Sequence, residues 1–176
     1  MKNLKTAWDD AGTFLKKVVN IFVIKYYLIM KNLILIRYGQ HQNGHLTPEG
    51  VKVMALAGER LKPLIEGKMI AVIASSTPRA SESGKIIADI LKVELTINDS
   101  LYAAEEDGKF PDNAKAKAFV ENFGNNVEVL VAITSREYIE TLPAYILEQP
   151  LSTLLERGEC LVIDYESKSI SYLKNN

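Results

Sequence analysis

The stretch "LILIRYGQHQNGHLTPEG", Leu33 to Gly50, decides how the rest of the chain is read. Leu33, Ile34, Leu35 and Ile36 are apolar without interruption, the pattern of a strand covered on both faces. The run ends in Arg37, Tyr38 and Gly39, passes through a polar loop, and reaches Thr47 and Pro48, which fit a helix N-cap and first helical position. A buried strand thus delivers an arginine and a glycine into a loop. A bulky Tyr38 stands between them, where a reactive side chain is expected.

Outward from this stretch the pattern alternates. "TPEGVKVMALAGERLKPLI" carries Val51, Met54, Ala55, Leu56, Leu61 and Leu64 at helical intervals. "MIAVIAS" reads as a second buried strand, "PRASESGKIIADIL" as a helix, "VELTI" as a short strand, and "NAKAKAFVENFG" as a helix ending on Gly124. "VEVLVAIT" is a third core strand, and the helix "REYIETLPAYILEQ" after it holds Pro143 as an expected kink. "ECLVIDYESKSISYLK" closes the chain as an antiparallel hairpin turning near Glu166 to Lys168. Strands separated by helices predict right-handed crossovers and an α/β three-layer sandwich, a mostly parallel sheet flanked by helices with an antiparallel hairpin at its C-terminal end.

A chain of 176 residues, 47% hydrophobic, suffices for one compact domain. Its net charge of −1 and pI near 6.2 lack the basic excess that nucleic-acid or anionic-membrane binding needs, so neither partner is expected. The single Cys160 lies in the apolar run "CLVIDY" and reads as a strand thiol. The lack of a disulfide framework suits a reducing, cytoplasmic location. Residues 1–30 differ from the rest. Their apolar run from Val18 to Met30 is broken by Lys25, is too short to span a bilayer, and has no signal-peptide cleavage site. Phe14, Val18, Ile21 and Phe22 fit helical spacing, so residues 1–30 read as a helical extension, or as a leader before a start at Met30, with the domain over 31–176.

In open sheets of this kind function collects at the carboxyl ends of the strands. Three segments meet there: "IRYGQ", "ASSTPRASES" and "AITSREY". Together with "GHLTPEG", and in this order and spacing from Lys31 to Lys174, they resemble the histidine phosphatase superfamily, also called the phosphoglycerate-mutase-like family. That resemblance implies a phosphate pocket with two arginines, here Arg37 and Arg79, and no cofactor or metal. It also implies a nucleophilic histidine at the position of Tyr38 and a second histidine at the position of Ser135, with Arg136 in place of a glycine. Both histidines are replaced. The acidic proton donor falls on Ala103, with Glu105 and Glu106 two and three residues late.

Histidine serves that chemistry because neutral imidazole attacks phosphorus and the phosphoramidate hydrolyses again. A phenol with a pKa of about 10 is mostly protonated and weakly nucleophilic at neutral pH. The two histidines of the chain, His41 and His45, both lie in the loop after the first strand, and His41 is close enough in sequence to act as a stray base or substitute nucleophile. Their spacing would suit zinc on a helix, but Asn43 and Gly44 between them indicate a loop. Arg37 and Arg79 could pair with carboxylates such as Glu49 or Glu82, or form an anion site helped by Asn43, Ser75, Ser76 and Thr77. The expected ligand is then a phosphate-containing small molecule, a phosphoprotein or another small oxyanion. Three functions follow: a pseudophosphatase that binds without turnover, a divergent phosphomonoesterase using His41, Tyr38 or Ser135, and an interaction module with a vestigial pocket.

Overall fold

The computed structural model describes residues 30–104 and 108–175. The expected N-terminal helix over Phe14 to Phe22, and Glu105 and Glu106, lie outside them. The elements are β1 (Asn32–Arg37), β2 (His41–Gln42), β3 (His45–Leu46), α1 (Pro48–Ile65), β4 (Ile70–Ala74), α2 (Pro78–Leu91) and β5 (Leu95–Ile97). A 3-10 turn (Asp99–Leu101) follows, then α3 (Asn113–Gly124), β6 (Val129–Thr134), α4 (Arg136–Leu147), β7 (Cys160–Asp164) and β8 (Ser169–Leu173).

Six strands form one mixed, mostly parallel sheet in the order β5-β4-β6-β1-β7-β8. β1 pairs parallel with β6 from Asn32 opposite Val129 to Arg37 opposite Thr134, and antiparallel with β7, where Ile36 meets Cys160. β1 is therefore hydrogen-bonded on both sides, and its alternate side chains enter two separate cores. Leu33 and Leu35 pack with Val120 of α3 and Leu142 of α4, whereas Ile34 and Ile36 pack with Met54 of α1 and Ile87 of α2. The three-layer α/β architecture and the closing β7–β8 hairpin are as the sequence predicts. Pro143 is buried within α4, which continues through it.

Two readings need correction. The buried stripe of α1 is Gly50, Met54, Ala57, Gly58, Leu61 and Ile65, while Val51, Leu56 and Leu64 are exposed. The large apolar residues mislead because α2 lies so close that a Cβ on Gly58 would come within 2.8 Å of Ile90 Cδ1. Close helix contact selects small residues, which a count of bulky ones misses. The polar stretch after Gly39 is not an open loop either. His41 pairs with Leu46 and Gln42 with His45 across a two-residue turn, with Asn43 at φ 51° and Gly44 at φ 84°. An Asn-Gly pair supplies the two positive φ angles such a turn needs.

Cys160 is fully buried, and burial pushes its thiol pKa up to about 12. Gly158, just before it, has φ +76°, and a Cβ there would sit 2.0 Å from Val53 Cγ1. Gly67 at the end of α1 has a similar φ of +71° with open space around it. Gly67→Ala should therefore cost about 1 kcal/mol from backbone strain alone, and Gly158→Ala about 3 kcal/mol because the clash adds to it. Urea unfolding of the two variants measures the difference.

Candidate functional site

The segments that follow β1 and β4 meet at Tyr38. Tyr38 continues the Ile34–Ile36 side of β1 and is 9% exposed, packed into the core beneath α1 and α2. Directly after it the Gly39 N–H donates to Ser83 Oγ at 3.2 Å, and that hydroxyl donates to the Arg79 carbonyl at 2.7 Å. This relay fixes the start of α2 against the β1 turn. It brings the Arg79 guanidinium over the Tyr38 ring, 5.0 Å from the centroid.

On the other side, Arg37 Nη1 donates to the Leu155 carbonyl at 2.9 Å, and the Gly158 N–H donates to the Arg37 carbonyl at 2.8 Å. These bonds hold the segment before β7 against β1 and bring in a residue that sequence reasoning missed. The Arg157 guanidinium lies 5.5 Å from the Tyr38 ring centroid, and its Nη1 donates to the Gly39 carbonyl at 3.1 Å. Burial first, then the charges of Arg37 and Arg79, lower the Arg157 pKa from its ordinary value, with Tyr38 and Glu156 acting in the opposite sense. Two guanidiniums, those of Arg79 and Arg157, therefore meet at the Tyr38 ring, with Arg37 at the adjoining end of β1. No spacing rule marks Arg157 in "LLERGE", because bonds to β1 set its place.

Ser135, opposite Tyr38 in the resemblance, is the N-cap of α4 and is 4% exposed. Its Oγ and the Nε of Arg37 are both buried without a hydrogen-bond partner among the described residues. Arg136 does not enter the site: it is exposed and ion-paired with Glu140 one turn along α4. Ala103 is buried. Ser76 donates from both N and Oγ to the Asp99 carboxylate, at 2.8 and 2.9 Å, so its donors are already committed. Ser75 and Thr77 hydrogen-bond each other through their hydroxyls at 3.2 Å. Asn43 lies exposed at the tip of the β2–β3 turn.

The two histidines diverge. The His41 ring meets the Tyr38 ring edge-on, with centroids 5.4 Å apart and planes at 61°. His45 Nδ1 instead hydrogen-bonds Glu82 Oε1 at 2.6 Å, and Glu82 Oε2 accepts from the Leu46 N–H at 2.8 Å. Glu82 is thus engaged by the hairpin, which it clips onto α2.

The fold is shared with solved phosphatase and mutase structures. Among solved structures, the protein histidine phosphatase SixA complexed with tungstate matches at TM-score 0.61 and 18% identity over 81% of this chain and 94% of its own. Mycobacterial glucosyl-3-phosphoglycerate phosphatase matches at TM-score 0.61 and 14% identity, over 83% of this chain and 98% of its own. Phosphoglycerate mutase from Plasmodium falciparum matches at TM-score 0.56 and 22% identity, over 84% and 91% respectively. No sequence-family model matches the chain, and a search of curated proteins finds no match. No helix among the described residues is long and apolar enough to cross a membrane.

The Leu46 N–H bond first, and then His45, hold the Glu82 carboxyl below its ordinary value of 4.5. A carboxylate with a depressed folded-state pKa stabilises the fold above its unfolded value, and that contribution disappears as pH falls through the folded one. Because Glu82 is partly exposed, Glu82→Gln should cost no more than about 1 kcal/mol at pH 7. Wild type and variant should converge in denaturant titrations below pH 4.5.

Proposed function

We propose that this chain is a histidine-phosphatase-fold protein that binds a phosphate ester or another small oxyanion at the carboxyl end of its sheet and does not turn it over. The observation that carries this reading is the environment of Tyr38. Where the resemblance places a nucleophilic imidazole, a phenol ring lies beneath the guanidiniums of Arg79 and Arg157. Its hydroxyl is a poor nucleophile at neutral pH, and a phosphotyrosine lacks the lability that lets a phosphohistidine hydrolyse. Ser135 offers a neutral hydroxyl donor in place of the second imidazole. Planar guanidiniums suit phosphate oxygens, and the buried Arg37 Nε and Ser135 Oγ are donors available to a ligand. The fold neighbours support a phosphoryl ligand, whether a small phosphate ester or a phosphoprotein. Arg37 and Arg79 bind it, and neither a cofactor nor a metal is required.

A second reading has one observation in its favour. His41 lies against Tyr38, so an imidazole is near the arginines and a divergent phosphomonoesterase could use it as base or nucleophile. Turnover of an aryl phosphate separates the two. The wild type should be inert, and phosphate or vanadate well above its dissociation constant should raise the thermal midpoint by about 5 °C or more. Arg79→Ala should remove that rise. The double variant Tyr38→His with Ser135→His should gain phosphatase activity and an acid-labile phosphoenzyme well beyond either single change, because such groups act as a unit. Wild-type turnover that survives Tyr38→Phe and vanishes in His41→Ala would overturn the binding-only reading. An unchanged midpoint in millimolar phosphate would remove the anion site altogether.

A further inference from the structure

The segment that carries Arg157 is built with more care than a connector requires. The Glu156 N–H donates to Glu159 Oε2 at 2.9 Å, the Asn175 N–H donates to Glu159 Oε1 at 3.2 Å, and Asn175 Nδ2 donates to the Arg157 carbonyl at 3.0 Å. The Gly158 N–H bond to the Arg37 carbonyl and the tight fit of Gly158 against Val53 close the segment on its other side. Glu159, an acid two residues from Arg157, is buried and turned to backbone N–H groups rather than to a guanidinium. Structural arginines in a half-buried setting usually find a carboxylate. Among the described residues Arg37 and Arg157 take backbone carbonyls instead.

Like charges held this close repel, so something must fix them in place. The Tyr38 ring does so: its π face attracts both the Arg79 and the Arg157 guanidinium, at 5.0 and 5.5 Å from the centroid. The Gly39 carbonyl takes one Arg157 N–H and leaves the remainder of its donor fork for other partners.

We propose that Arg157 is a third ligand-binding arm of the anion site, and that Tyr38 is its positioning residue, an aromatic spacer holding Arg79 and Arg157 for a doubly charged oxyanion. The inference rests on the oxyanion-binding reading above and adds the residues that set the charge preference. Each guanidinium added to the site attracts every unit of ligand charge, so Arg157 raises the preference for a dianion over a monoanion of the same shape. The role assigned to Tyr38 depends on its ring and not on its hydroxyl.

Tungstate and perrhenate test this directly, as tetrahedral oxyanions of similar size bearing two charges and one. Calorimetric titration of the full chain at pH 7.5 should show tungstate binding at least about tenfold tighter than perrhenate. Arg157→Gln should weaken tungstate by about tenfold and perrhenate much less, narrowing the ratio. Tyr38→Phe should keep the wild-type ratio within about twofold, and Tyr38→Leu should narrow it as Arg157→Gln does. Thermal melts confirm that each variant is folded; should Tyr38→Leu fail to fold, the Arg157→Gln and Tyr38→Phe pair still decides. A folded Arg157→Gln with an unchanged ratio overturns the inference and leaves the binding reading standing, as does a Tyr38→Phe that loses the preference. Wild-type protein that binds neither anion overturns both.

Discussion

Two glycines leave the backbone after β1 a single path. A Cβ on Gly39 would come within 2.6 Å of the Gly50 carbonyl oxygen, and one on Gly50 within 2.1 Å of the Gln40 carbonyl oxygen. The turn after β1 therefore lies directly against the first turn of α1, which the Thr47 side chain caps by accepting from the Gly50 N–H at 3.1 Å. This contact fixes the direction in which the chain leaves the sheet. Gly39 then supplies both an N–H to the start of α2 through Ser83 and a carbonyl to Arg157. A side chain at either glycine would separate the very segments that bring the arginines together.

The sheet supplies the other half of the arrangement. Because β1 lies between a parallel and an antiparallel neighbour, its carboxyl end adjoins the end of β6 and the beginning of β7. The residues preceding β7 thus reach the site from a part of the chain 118 positions away, the separation of both the Arg37–Leu155 and Arg157–Gly39 bonds. An all-parallel sheet would place a strand's carboxyl end there, with its outgoing loop. The antiparallel β7 offers an incoming segment instead, and Arg157 travels on it.

Much of this was legible in the sequence because the signals are local and periodic. The start of α2 at Pro78 and the end of α3 at Gly124 are as the sequence predicts. Arg37 and Arg79 could be singled out because they stand at the two arginine positions that the family resemblance implies. What failed was long-range or steric, with one local turn signal besides. The face of α1 depended on how closely α2 approaches, and the hairpin of His41 to Leu46 on giving Asn43-Gly44 its full weight as a turn signal. Arg157 has no local mark, since its place is set by bonds to β1 and to the chain's last residues. Arg136, which stands where the resemblance implies a glycine, is exposed and paired with Glu140 one helical turn along.

Cys160 faces Ile36 across the β1–β7 pairing, at the end of the ladder beneath Arg157 and Gly158. A fully buried thiol, its pKa pushed up to about 12, presents essentially no thiolate at neutral pH while the core around it stays closed. An alkylating reagent can reach it only when the core between this face of the sheet and α1 and α2 opens, so the slow labelling rate is a clock for that opening. The chain carries one such sulfur. Its clock times the opening of the core on which the Tyr38 ring also rests, and anything that pins that ring should make it run slower.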